Sequence, residues 1–168
     1  MIQKNTRIII FISLSLFSLL ACTSTKELYR GEIAKQADRI HIISSNTGSG
    51  VWNTNEVAVH YTYTSLPDHL NLTGYISISE PITNSYPKIR SLSVLVSFLD
   101  TEGTVISTHY INPLYSVNSR PPEKITFNST VSLPVKAVAF CFSYSGEFQG
   151  DSRKWDSLYI GKDPFRNK

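Results

Sequence analysis

The sequence predicts an all-β protein, a sandwich of two antiparallel sheets with about seven to eight strands over residues 37–168. Three observations carry this expectation. Apolar residues recur with period two from Ala37 onward, and Pro, Gly, Asn and Asp gather between the runs. In addition, no long stretch shows the 3.6-residue apolar stripe of an amphipathic helix.

The residues ahead of that domain set its address. Met1–Arg7 carries Lys4 and Arg7 and no acid, and Ile8–Ala21 is an unbroken run of apolar residues and Ser. At about 14 residues the run has the length of a signal-peptide core and is shorter than the roughly 20 residues that cross a bilayer as a helix. Leu19-Leu20-Ala21-Cys22, followed by the polar Thr23-Ser24-Thr25, resembles the lipobox of bacterial lipoproteins. The resemblance implies attachment of diacylglycerol to the Cys22 sulfur, cleavage after Ala21 and a further acyl chain on the new amine. Two or more lipid chains anchor a protein stably, at about 0.8 kcal/mol per buried CH₂. Because Thr23 and not Asp follows the Cys, the resemblance also implies the outer membrane, facing the periplasm, in a Gram-negative cell.

Removing residues 1–21 of 168 leaves 147, enough for one domain with a sizeable core. Lys4 and Arg7 depart with the signal, so 16 basic residues against 13 acidic ones become 14 against 13, a formal charge of +1. That balance argues against a nucleic-acid partner. Once Cys22 is lipidated, Cys141 has no intrachain partner, and its apolar neighbours predict a buried, inert thiol. Residues 22–36 are expected to be the lipidated Cys and a tether, with an end-to-end reach of roughly 20 Å if flexible.

The elements follow in order. Ile40–Ile43 is a first short strand, and 46–50, with Gly48 and Gly50, reads as a loop before Trp52. In Val57–Tyr63 the odd positions Val57, Val59, Tyr61 and Tyr63 share the core face, which leaves His60 outward. Pro67-Asp68 turns the chain into Leu70–Ile78, where Gly74 interrupts the inward row and signals a bulge or a close approach. Pro81–Pro87 reads as a loop. Ser91–Leu99 is the strongest strand, with Leu92, Val94, Val96 and Phe98 on one face. Asp100–Gly103 closes a hairpin into Thr104–Ile111, with Gly103 free to take positive φ. The connection 112–122 is long enough to cross between sheets. Strands follow at Ile125–Leu133 and Val138–Tyr144, and a last edge strand at Ser157–Ile160. Antiparallel hairpins of this number imply an immunoglobulin-like or transthyretin-like arrangement. The hairpin from Val94 to Ile106 is similar to those of small sandwich domains in bacterial envelope lipoproteins.

No spacing supports catalysis. A Gly-x-Ser-x-Gly elbow between strand and helix is absent, and the four histidines, His41, His60, His69 and His109, lie on separate elements with no metal-ligand spacing. No metal or other cofactor is implied. Asp100 and Glu102 read as hairpin residues and not as a calcium loop. The expected function is therefore non-enzymatic: a membrane-anchored envelope subunit that acts by contact with an envelope protein. The sequence sets no oligomeric state. The alternative is a binding module for an envelope glycan or lipid in the aromatic, basic C-terminal region, with Phe148, Trp155 and Tyr159 as the platform and Arg153 and Lys154 beside it, supplemented by Lys162 and Arg166.

Substituting Cys22→Ser is expected to abolish palmitate incorporation and to move the protein from the membrane to the soluble fraction. Fractionation of labelled cells checks both.

Overall fold

The computed structural model describes residues 28–44, 46–112, 115–117, 120–150 and 157–165. They form two packed antiparallel sheets. The larger holds six strands: β1 (Ile40–His41), β5 (Lys88–Leu99), β6 (Val105–Tyr110), β7 (Tyr115–Val117), β9 (Ala139–Gln149) and β10 (Ser157–Lys162). The smaller runs β2 (Thr47–Asn53), β3 (Val57–Ser65), β4 (His69–Ile78) and β8 (Ile125–Ser132), in that order. The chain passes between the sheets four times, at β1–β2, β4–β5, β7–β8 and β8–β9, and within the expected connection 112–122 it first adds β7 to the larger sheet. There are more strands than expected because β2 carries glycines that read as a loop and β7, at three residues, is too short to show a period in sequence.

The centre of the larger sheet is the antiparallel pair β5 and β9, in register from Lys88↔Gln149 to Leu99↔Ala139. Each flank of this pair is shared by two short strands. β1 and β10 line β9, while β6 and β7 line β5. Between β6 and β7 a side chain completes the ladder: Val94 N–H donates to Asn112 Oδ1 at 2.7 Å, and Asn112 Nδ2 donates to the Leu92 carbonyl at 3.1 Å. A bulge between Ile89 and Ser91 turns Arg90 out to Glu147 and Gln149 and returns Ile89 to the core.

Leu92, Val94, Val96 and Phe98 of β5 meet Phe140, Phe142 and Tyr144 of β9 in the main core, opposite Val59, Tyr63, Leu72 and Ile76 of the smaller sheet. Phe140 and Phe142 lie edge to face at 5.5 Å, and Tyr61 and Tyr63 close on them. Such pairs add about 0.5–1.5 kcal/mol beyond burial.

Residues 47–50, expected as a loop, belong to β2. The expectation failed because Gly reads as a loop signal, whereas here it makes room for aromatic rings. A Cβ on Gly48 would lie 2.5 Å from the Tyr63 ring, and one on Gly50 would lie 2.6 Å from the Tyr61 hydroxyl. The tyrosines of β3 thus fold across the edge strand and cover its glycines. Pro81–Pro87 also departs from expectation: Glu80–Ser85 is a short helix, α1, with Pro81 in its first turn and Ile82 buried.

A second, smaller core lies on the opposite face of the larger sheet. Leu99, Val105, Ala139 and Cys141 are covered there by Ala34, Tyr29 and Phe165. Residues 28–36, expected to be tether, instead form a strap on the domain. Gly31 N–H donates to Val105 O, Ala34 N–H to Gly103 O and Lys35 N–H to Pro164 O, at 2.8–3.0 Å. Arg39 Nε and Nη2 both donate to the Ala34 carbonyl, and Thr108 donates to the Leu28 carbonyl at 2.7 Å. The strap is polar in composition, so its binding shows in the backbone and not in an apolar pattern.

Gly74 has φ +154, and a Cβ there would run into the His60 carbonyl and the Phe127 ring. Gly31 also has positive φ, +84, but open space around it. Gly74→Ala is therefore expected to lower the free energy of unfolding by about 3 kcal/mol, and Gly31→Ala by about 1–2 kcal/mol. Urea denaturation of the two variants checks the ranking.

Candidate functional site

The outer face of the smaller sheet carries no charged side chain from its strands. Thr47, Ser49, Val51 and Asn53 of β2 align with Thr64, Thr62, His60 and Ala58 of β3. Asn71, Thr73, Tyr75 and Ser77 of β4 align with Thr130, Asn128 and Thr126 of β8 and with the same β3 row. It is a flat array of hydroxyls and amides, tied locally by Asn71 to Thr130 at 2.9 Å and Thr47 to Thr64 at 3.2 Å.

A pair of stacked rings interrupts this array at its middle, away from His69 at the start of β4. His60 and Tyr75 are directly opposed across β3 and β4 and stack at 4.3 Å between centroids, 14° from parallel. Side chains directly opposed across a ladder stand side by side on the sheet, and two flat rings there pack face to face. The second face of Tyr75 carries Lys124 Nζ, 4.7 Å from the ring centre. Beside the rings is a cleft of about 550 Å³, within the roughly 300–1,000 Å³ of small-ligand sites. Its floor is His60, Tyr75 and Ser77. One wall is α1, with Glu80 and Thr83, and the other is 120–124, with Arg120, Pro121-Pro122, Glu123 and Lys124. Local packing sets both walls. Ser79 N–H donates to the Glu56 carbonyl at 2.8 Å, and Ile82 anchors α1 in the core. On the facing wall, the two prolines fix φ where the chain enters β8.

The residues expected to bind ligand fare differently. Phe148 is fully buried in the main core, opposite Ile89, and is corrected to a structural residue. The reason is length: β9 continues to Gln149, so the even positions keep facing inward beyond Tyr144. Tyr159 is exposed on β10, opposite Glu147. Lys162 is engaged, 3.2 Å from Asp38 and 5.2 Å from the centre of the Trp52 ring. Cys22, Arg153, Lys154, Trp155 and Arg166 lie outside the described residues. His109 aligns with inward-facing Val96 and packs on Phe98, because a bulge in the β5–β6 pairing resets the alternation along β6. Among the described residues, no three His, Cys, Asp or Glu side chains are grouped to hold a metal ion.

The cleft leaves no signal in the sequence. Alternation places His60 on an outward face, but its partner becomes visible only when the β3–β4 register is known. Arg120 and Lys124 fall in a connection whose path no local pattern sets.

Two further polar groups serve the fold. The Tyr144 hydroxyl donates to Glu56 Oε2 at 2.7 Å and lies 3.2 Å from the Thr54 hydroxyl, which ties the two sheets together. Burial, with Glu56 adding and Thr54 opposing, raises its pKa to about 12. Burial likewise pushes the Cys141 thiol up to about 12, so it is not a nucleophile at neutral pH.

Comparison with known proteins finds no match: no family model, no curated protein and no solved structure resembles the chain.

Tyr144 binds its proton more tightly folded than unfolded, so its stabilising effect is whole below pH 10 and is lost as pH rises from 10 towards 12. Tyr29 and Tyr61, also raised by burial, act in the same direction. The urea midpoint is expected to fall steeply above pH 10, and Tyr144→Phe to flatten that fall. Midpoints measured from pH 8 to 11.5 check the sign.

Proposed function

We propose that this chain is a lipid-anchored, non-enzymatic binding subunit of the bacterial cell envelope, held at Cys22 and engaging its target through the outer face of the smaller sheet. The lipobox-like Leu19–Cys22 supports the anchor. The position of the strap supports the direction of display. The described chain enters the domain at Leu28, on the outer face of the larger sheet, whereas the cleft at His60 and Tyr75 lies on the outer face of the other sheet. Two packed sheets separate the entry point from the cleft, so a domain tethered at its first face leaves the second free.

Of the occupants expected from the sequence, an envelope protein first and an envelope glycan or lipid second, the cleft favours the glycan, which reverses their order. The single observation behind this is the paired rings set among hydroxyls and mixed charges. A protein contact by strand addition at the free edge of β2, where Val51 is exposed, has no comparable feature to specify it. The target site also moves from the C-terminal region to the smaller sheet.

A photo-reactive residue at Thr73, in living cells, is expected to capture a saccharide-bearing envelope component, identified by mass spectrometry. The capture should vanish with Cys22→Ser. A specific protein captured in its place would restore the assembly role, and equal capture by the unanchored form would contradict the anchored reading.

A further inference from the structure

Resting on the glycan reading, we propose that the cleft between α1 and residues 120–124 binds a neutral oligosaccharide, with the Tyr75 ring as the stacking surface and Lys124 as a side chain that leaves that ring when the sugar arrives. The walls carry Arg120 and Lys124 against Glu80 and Glu123, so their formal charges cancel and the cleft has no net attraction for an anion. What remains is a set of strong donors facing strong acceptors. Vicinal sugar hydroxyls, each both donor and acceptor, can meet both kinds.

The apolar requirement is met in the same place. A pyranose presents patches of C–H groups, and these need a flat, electron-rich partner. Tyr75 is such a partner, and its lower face is already fixed by His60 at 4.3 Å, so the ring is held upright before any ligand binds. Its other face is covered by a flexible ammonium 4.7 Å from the ring centre. Lys124 has no other interaction among the described residues, and a cation–π contact at an exposed site is worth only about 0.5–1 kcal/mol. A sugar can therefore replace the ammonium on the ring, and the released Lys124 then becomes a hydrogen-bond donor at the sugar's edge. Pro121-Pro122 opposite gives a rigid apolar wall, which lowers the entropic cost of closing on a weak ligand.

The test uses the full lipidated protein in detergent micelles. The probe is an array of neutral α- and β-linked oligosaccharides of hexose and N-acetylhexosamine, with acidic counterparts beside them. Binding to at least one neutral class is expected, weakened about tenfold or more by Tyr75→Ala and by Arg120→Ala, and unchanged by Tyr159→Ala. Thermal midpoints within a few degrees of the parent show that the variants are folded. Lys124→Gln, which frees the ring and keeps a donor, is expected to retain binding. If no neutral saccharide binds, or if binding survives loss of Tyr75, the inference is overturned. Exclusive binding of the acidic counterparts also overturns it. Saccharide binding lost with Tyr159→Ala and retained with Tyr75→Ala would keep a glycan-binding subunit and remove this cleft. A blank array with a saccharide captured at Thr73 in cells would likewise spare the broader reading alone.

Discussion

The pair β5–β9 is buried on both faces, and the rest of the molecule answers that constraint. From Leu92 to Leu99 every residue of β5 but Ser93 is less than 4 % exposed, and Ser93 is 6 % exposed. An antiparallel sheet can leave one face in water, but Leu95 and Leu99 turn apolar surface to the side away from the sandwich. That side needs a cover, and around Leu99 the strap of residues 28–36 with Phe165 provides it. Tyr29 takes a left-handed φ of +63 to do so, a strain of about 1–2 kcal/mol. Its ring lies against Phe165 at 4.6 Å, a contact that offsets the strain.

This one constraint sorts the surfaces of the protein. With the strap on the outer face of the larger sheet, the outer face of the smaller sheet is left as the broad, uncharged surface. At its middle His60 and Tyr75 stack ring on ring. The same sorting explains why the candidate residues of the C-terminal region divide. Among the described ones, Phe148 serves the core, Lys162 joins Asp38 and Trp52 to close one side of the sandwich, and Tyr159 points outward.

How much of this was legible in the sequence depends on the range of the interaction that sets each feature. Strands β3, β4, β5, β8 and β9 announce themselves by alternation, because each has one face in the main core. Gly74 and Gly103 were readable as special backbone positions, and both have positive φ. By contrast β2 was hidden, since the rings that fill the space over Gly48 and Gly50 come from another strand. The strap was hidden too, because carbonyl and amide partners leave no trace in side-chain periodicity. The cleft was the least legible part. It joins positions 60, 75, 80 and 120–124, and only the β3–β4 register and the path into β8 bring them together.

The central claim is that residues 31–35 are an integral layer of the domain and not part of a tether. Native-state hydrogen exchange of the full lipidated protein tests it most directly. If the strap is integral, the amides of Gly31, Ala34 and Lys35, which donate to Val105, Gly103 and Pro164, exchange with protection approaching that of the β5–β9 ladder. Exchange of those three amides at the rate of an unstructured chain, with the ladder still protected, would contradict the claim and remove the reason for assigning the binding face to the smaller sheet.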